Sequence, residues 1–356
     1  MVRLTLNTII KPIFKVDSSY FYKYNNDFVE IGDVELTEYF LKTFQSNSYV
    51  ELESLINLLQ KEFQIPQPEA ENLIDDLLRV GFLTEFKNKD RYTTNELFFS
   101  LFDNCNKLSM QQKLNNSEVC ILGLGGSTLI IQQLAQIGIG KITGLDFDTL
   151  EESNLNRQVI FKENDIGNLK SEILAKNLKE INSNIIYDFR NIYVDSQEKI
   201  SDIISTADIV VLALDEPIID SSIWVFDECK KQHKKIISGG VWGDEITYTF
   251  FDYSLPNQPC YTCLMEQDLR RNKVIRNYVS EIKGKTFSNF NTTTIFVGSI
   301  LAGIISTEIV KLLTNYAPPI KSGSSLTLNT TTWKMEVNEI KINERCQNCL
   351  GELNGQ

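Results

Sequence analysis

Four of the seven cysteines fall in two pairs of identical spacing, Cys260-Tyr-Thr-Cys263 and Cys346-Gln-Asn-Cys349. Two such pairs can wrap one Zn²⁺ ion tetrahedrally with thiolates, and a closed shell of four leaves no open position for substrate, so the ion would be structural. It would pin the C-terminal tail to a loop some eighty residues earlier and make metal affinity part of folding stability. An odd cysteine count with two CxxC pairs favours metal binding in a reducing compartment over a disulfide framework.

A second constellation suits phosphate chemistry. Gly123-Leu124-Gly125-Gly126-Ser127-Thr128 follows the apolar run Val119–Leu124 and precedes a helical pattern in which Ile130, Leu134 and Ile137 share one face. Small residues let backbone approach a phosphate, and the helix N-terminus points N–H donors at it. The hydroxyls of Ser127 and Thr128 suit either phosphate contact or capping of that helix. A glycine-rich turn also occurs as plain structure, but Asp146 and Asp148 stand about 20 residues further on, where an acid can bond ribose hydroxyls. An NAD-dependent dehydrogenase would share both features. The run Asp148-Thr-Leu-Glu-Glu-Ser-Asn154-Leu-Asn156-Arg157-Gln158, followed by Gly167-Asn-Leu-Lys170, decides for a triphosphate. Arg157 and Lys170 would oppose charge developing on the α-phosphate, with Asn154 as a further donor. Taken singly, each is also compatible with a solvated loop or helix. Asp215 ends the apolar run Asp208–Leu214, placing a carboxylate for Mg²⁺ at the sheet edge where ligands of such folds sit.

The elements that must position these groups read as two domains, a natural division for 356 residues. Residues 1–88 hold an expected β-hairpin near the start, built from Leu4, Leu6, Ile9 and Ile10 and from Phe28, Val29 and Ile31 around Tyr24–Asp27. Three helical patterns follow: Leu36, Phe40, Leu41 and Phe44; Val50–Phe63; and Ala70–Val80, stopped by Gly81. With the extended segment Phe82–Phe86 they suggest a winged helix-turn-helix. In so acidic a chain, this module suits a peptide platform offering a strand edge better than a DNA reader. Residues 89–356 show βαβ rhythm, with strands expected at Val119–Leu124, Ile142–Asp146, Asp208–Leu214 and Ile236–Ser238. The fold class is therefore α/β, a Rossmann-like doubly wound and mostly parallel sheet.

A formal charge of −12 argues against nucleic acid or an anionic membrane as partner. Lys11, Pro12 and Lys15 interrupt any secretory apolar core, and Ser299, Ser306, Thr307 and Glu308 interrupt the longest apolar stretch, Ile295–Leu313. A cytoplasmic protein without a membrane span is expected.

These motifs resemble those of the ThiF/MoeB/ubiquitin-activating-enzyme superfamily: GxGGxG, then DxDxVxxSNLxRQ, then GxxK, then a Mg²⁺-binding Asp after a later strand. The resemblance implies an ATP-dependent adenylyltransferase in which Gly123, Gly125, Gly126, Asp146, Asp148, Asn154, Arg157 and Lys170 bind nucleotide. Arg157, Lys170, Asp215 and Asn154 would carry catalysis, Asp215 would take Mg²⁺, and Cys260, Cys263, Cys346 and Cys349 would hold Zn²⁺. Along essentially its whole length the chain is similar to MccB-type enzymes of peptide-antibiotic (microcin) biosynthesis. That implies a homodimer with an N-terminal peptide clamp, which modifies a short ribosomal precursor peptide at its C-terminal Asn through AMP-activated or P–N-linked nucleotidyl species. Two positions depart from the pattern. Thr128 replaces the last glycine of the loop, and Thr94, in Arg91-Tyr92-Thr93-Thr94, replaces the second arginine of an arginine finger. No thioester cysteine stands out: Cys120 lies in an apolar run, Cys229 adjoins Lys230 and Lys231 in a helical stretch, and Cys105 has no supporting motif. His233, among lysines, receives no role. The rival readings are a catalytically silent leader-peptide-binding partner and a sulfur-carrier-protein adenylyltransferase.

Overall fold

The computed structural model describes residues 2–7, 13–24, 27–32, 34–86, 90–99, 101–102, 107–271, 281, 292–343, 346 and 349. The chain divides into two compact units, Met1–Asn104 and Cys105–Gln356. The helix Thr93–Phe99 thus belongs to the first unit, beyond the division expected at 88. Cys105, Ile9, Ile10, Lys11 and Pro12 lie outside the described residues.

In the first unit, strand β1 (Arg3–Leu6) does not form the expected hairpin with the segment around Phe28. It lies between β5 (Val50–Glu51) and β6 (Leu83–Glu85), antiparallel to both. The alternation of Leu4 and Leu6 correctly marks a strand, but its partners lie far along the chain, where no local signal names them. The hairpin near the start is instead a meander of β2 (Ile13–Val16), β3 (Ser19–Tyr24) and β4 (Asp27–Ile31). Helices Val34–Ser46, Leu52–Phe63 and Gln67–Arg79 follow, close to their sequence patterns. Leu4, Phe40, Leu55, Leu59, Ala70, Ile74, Phe82 and Leu83 are buried together between these helices and strands.

Among the described residues, the second unit is built on an eight-stranded sheet. Its parallel part comprises β7 (Glu118–Leu122), β8 (Lys141–Leu145), β9 (Ile186–Arg190), β10 (Ile209–Leu212) and β11 (Lys235–Trp242). The antiparallel strands β12 (Glu245–Asp252), β13 (Ser324–Asn329) and β14 (Lys334–Glu339) extend it, giving the order β14-β13-β12-β11-β10-β7-β8-β9. The strands β7, β8 and β10 are almost wholly buried, as the apolar runs Val119–Leu122 and Ile209–Leu212 require, with the small Thr143 and Gly144 inside β8. From β7 the chain moves outward through β8 to β9, then returns to the other side of β7 as β10. The sheet therefore switches direction between β7 and β10, which opens a crevice at their C-terminal ends.

Despite its polar interruptions, the helix Ile295–Thr314 is by length and composition apolar enough to cross a membrane, a test that core helices also pass. In this fold it packs against β11, β12 and the helix Thr128–Ile137. A Cβ at Gly239 would meet Leu301 and Ile305 of that helix at 3.0 and 2.9 Å, so the missing side chain brings helix and sheet together. Its buried Glu308 is paired with Lys311 at 2.7 Å and accepts the Ile320 N–H at 2.6 Å.

Candidate active site and metal centre

The glycine loop leaves β7 at Gly123, whose φ of +96° is left-handed. A Cβ there would stand 2.4 Å from the carbonyl oxygen of Ala213, so glycine is required by both conformation and space. The turn is closed from within, because Ser127 Oγ donates to Gly123 O at 2.6 Å. Neither hydroxyl caps the helix: Ser127 makes no side-chain cap bond, and Thr128 Oγ1 accepts the Val159 N–H at 3.1 Å. Around Gly126 nothing lies within 4 Å of where a Cβ would stand, leaving room for a ligand group.

Asp146 follows β8 directly and braces this loop. Its two carboxylate oxygens accept the N–H groups of Leu124 and Asp148, each at 2.8 Å. Burial raises its pKa, while the nearby Lys170 ammonium acts in the opposite direction. Lys170 opens the helix Lys170–Ile181 and is almost wholly buried, its Nζ 2.7 Å from Asp148 Oδ2. A buried ammonium needs a partner. Asp148, with 47% of its side chain exposed, pairs with it while remaining open to solvent. The Lys170 N–H also bonds to the Asp148 carbonyl at 3.0 Å, and Thr149 bridges Leu169, so backbone fixes both charges.

Asn154 is buried in a short 3₁₀ turn, where its Oδ1 accepts the Glu151 N–H at 3.2 Å and its amide nitrogen is left to donate. Arg157 folds back on the same turn, donating to Ser153 O at 2.6 Å and Asn156 Oδ1 at 2.9 Å. Asp215 lies just beyond β10. Although it reaches solvent, the surrounding protein desolvates it enough to raise its pKa, with the charge of Asp148 adding to the effect and Lys170 and Arg157 opposing it. Glu216 is shifted the same way, first by burial and then by Asp215 and Asp148. Gly123, Gly125, Gly126, Asp146, Asp148, Lys170 and Asp215 thus lie together at the C-terminal ends of β7, β8 and β10, and the Arg157 charge is felt at Asp215, while the contacts of Asn154 stay within its own turn. Carboxylates held above their ordinary pKa beside cations suit a divalent cation that supplies the missing positive charge.

Gln158 and Glu216 were not singled out from sequence. Gln158 is buried, and its Nε2 comes within 2.9 Å of where a Gly125 Cβ would stand; Lys170 Nζ comes within 3.4 Å of the same point. The signal was adjacency, since each follows a residue already assigned to the site.

The four paired cysteines meet. Their Sγ atoms lie within 4.8 Å of one another and all are buried. Cys260 and Cys346 are 3.4 Å apart, Cys263 and Cys349 3.7 Å, and Cys260 and Cys263 3.8 Å. A tetrahedral ion with metal–sulfur bonds of about 2.3 Å needs sulfurs about 3.8 Å apart, so the set fits one ion with all positions filled. The hydrogen bond from Cys349 lowers Cys260 and raises Cys349, so this pair carries its negative charge on Cys260. Asn343 N–H also points at Cys263 Sγ at 3.4 Å. The remaining described thiols differ. Burial pushes Cys120 up to about 12 and raises Cys229 despite its neighbouring lysines, so neither is an activated nucleophile. His233 contacts Tyr253 O through Nδ1 at 3.3 Å.

With this geometry established, comparison defines the class. The ThiF family model matches residues 95–351, and the chain belongs to the ThiF family. Adenylyltransferase and sulfurtransferase MOCS3 of Xenopus laevis is 28% identical over 242 residues, 67% of this chain and 49% of that protein, so the chain spans about half that relative's length. Molybdopterin-synthase adenylyltransferase of Escherichia coli is 28% identical over 67% of this chain and 89% of its own length. Both of these relatives are named as adenylyltransferases. A solved structure of E. coli MccB with AMPCPP and MccA shares the fold, with a TM-score of 0.68 and 23% identity over 98% of this chain and 99% of that one. A structure of PaaA gives a TM-score of 0.65 at 23% identity, covering 80% of this chain and 96% of that one.

Proposed function

We propose that the chain is an adenylyltransferase that activates the C-terminus of a short ribosomal precursor peptide with ATP, in the manner of peptide-antibiotic biosynthesis. The observation that carries the reading is the first unit, Met1–Asn104, nearly all of which precedes the family-matched region. Its meander ends in strand β4, and its small sheet is supported by three helices, which suits docking of an extended peptide. The fold shared with MccB across both units supports the same reading.

ATP lies over Gly123–Gly126 with its ribose toward Asp146. A peptide carboxylate or carboxamide oxygen attacks the α-phosphorus; the new O–P bond forms as the bond to the β-phosphate bridging oxygen breaks and pyrophosphate leaves. Lys170, Arg157 and Asn154 face the charge that develops on the α-phosphoryl oxygens. Asp215, with Asp148 and Glu216 nearby, would hold Mg²⁺, which supplies charge neutralisation to the leaving pyrophosphate. The four cysteines hold a structural Zn²⁺, and the active form is a homodimer.

A second substrate class has its own support: relatives are named for sulfur-carrier systems, as in molybdopterin-synthase adenylyltransferase. Mass spectrometry of a candidate precursor peptide incubated with protein, Mg²⁺ and each nucleoside triphosphate separates the readings. A nucleotidyl or dehydrated mass, lost in Lys170→Ala and Asp215→Ala, is expected. Peptide binding without any mass change would leave a leader-presenting partner. Adenylation confined to a small protein ending in Gly-Gly would leave the sulfur-carrier reading.

A further inference from the structure

Thr128 occupies a position where the loop pattern expects glycine, and the structure gives its side chain a task. The residue is fully buried, and its hydroxyl reaches across to the N–H of Val159 at 3.1 Å. Ser127 cannot substitute, since its own hydroxyl closes the glycine turn on Gly123. Val159 immediately follows Arg157 and Gln158. The next residue, Ile160, has φ of +80°, a conformation that a β-branched residue keeps only when its surroundings impose it. Two anchors impose it here: Thr128 holds the Val159 N–H, and Asn177 Nδ2 donates to the Ile160 carbonyl at 3.0 Å. Between this strained turn and the glycine loop sits the Gln158 amide. Its Nε2 and Lys170 Nζ flank Gly125, and its buried Oε1 has no hydrogen-bond partner. A phosphate oxygen accepts and cannot pair with that Oε1, so it is the Nε2 donor, beside the Lys170 ammonium at Gly125, that bears on a phosphate.

We propose that Thr128 is a positioning residue that latches the Arg157–Val159 segment to the phosphate loop, and that Gln158, so placed, joins Lys170 as a polar group of the phosphate cradle. This rests on the nucleotide reading of the site given above. A phosphate oxygen at Gly125 would meet an ammonium and a neutral amide together, the amide adding direction without adding charge.

The test uses the full-length chain, with ATP and Mg²⁺ as probe. Amide hydrogen exchange at residues 157–161 and calorimetric ATP affinity are measured for the wild type, Thr128→Val, Thr128→Ser and Gln158→Leu. Thr128→Val is expected to speed exchange at Val159 about tenfold and weaken ATP about five- to tenfold, with Thr128→Ser retaining both properties. Gln158→Leu is expected to weaken ATP about fivefold while leaving Val159 exchange unchanged, and it remains informative should Thr128→Val not fold. Wild-type exchange and affinity in Thr128→Val would overturn the latch. Unchanged affinity in Gln158→Leu would remove Gln158 from the cradle. If the wild type binds ATP yet adenylates no peptide, the substrate reading fails while both of these results still stand.

Discussion

The β7–β10 crevice and the cysteine cluster each gather residues from distant parts of the chain, but by opposite means. In the crevice the polar groups nearest the glycine loop are already held by protein: Asp146 by two backbone N–H groups, Asp148 by Lys170, and the neutral Asn154 by its own turn. In the cluster the thiols meet one another, and the N–H of Asn343 points at Cys263. A site that the fold prepares can lose its ligand and keep its shape. A site prepared by its ion contributes to the fold only while the ion is bound.

The largest expected effect breaks the second half of that contrast. Treatment with a strong chelator, or Cys263→Ser, should cost about 5 kcal/mol of stability or more, read as a fall in the unfolding midpoint that added Zn²⁺ reverses for the wild type alone. An unchanged midpoint would mean that four packed thiols suffice without metal. Next in size is Lys170→Ala, which should reduce adenylation about 10²- to 10³-fold by removing a cation aimed at the transition state. Its unfolding midpoint should fall by only a few degrees, because the surviving Asp148 already reaches water. Collapse of the fold in this variant would show that the crevice, like the cluster, depends on its charges for structure.

The contrast also governs what could be read from sequence. Short motifs carried most of the crevice, since Gly123, Asp146, Lys170 and Asp215 each sit at the end of a strand or the start of a helix, where local pattern fixes place. The paired cysteines were equally plain, because CxxC spacing is itself the geometry. What escaped depended on distant partners. Leu4 and Leu6 announced a strand but not that β5 and β6 would flank it. The antiparallel extension through β13 and β14 carried no comparable signature. Thr128 looked like a defect in the loop until its acceptor role toward Val159, 31 positions away, was visible. The Ile295–Thr314 helix was read by its polar interruptions, yet what places it is the bare Cα of Gly239 beneath it.

Asp215 sharpens the comparison by pH. Its pKa is raised, so the native state binds its proton more tightly than the unfolded chain does, and its stability contribution falls as pH rises from about 4 through the raised value. Ligand binding runs the other way: the carboxylate must be charged to hold a cation, so Mg²⁺-dependent ATP affinity should fall as pH drops through the same window. Asp215→Asn should therefore weaken ATP binding at pH 7, flatten that acidic limb, and raise the unfolding midpoint slightly, by about 1 °C. A wild-type affinity profile flat down to pH 4 would remove Asp215 from the cation site. A fall in the midpoint of Asp215→Asn would show that this charge supports the fold, as the thiolates are expected to do.

The smallest effect tests whether the crevice is shaped for a ligand rather than for itself. Gly123 cannot accept a side chain, because its φ and the Ala213 carbonyl both forbid one, so its replacement says nothing about nucleotide. Gly126 has an ordinary φ, and no protein atom lies within 4 Å of where its Cβ would be. Gly126→Ala should leave the midpoint within about 2 °C of wild type, because the methyl meets nothing in the free protein and alanine lowers the entropy of the unfolded chain. ATP affinity should nevertheless fall roughly threefold to tenfold, since that methyl would stand where phosphate approaches the backbone. If ATP binds Gly126→Ala as it binds the wild type, the open space at Gly126 faces solvent, and the phosphates must rest instead against Gly125, Gln158 and Lys170.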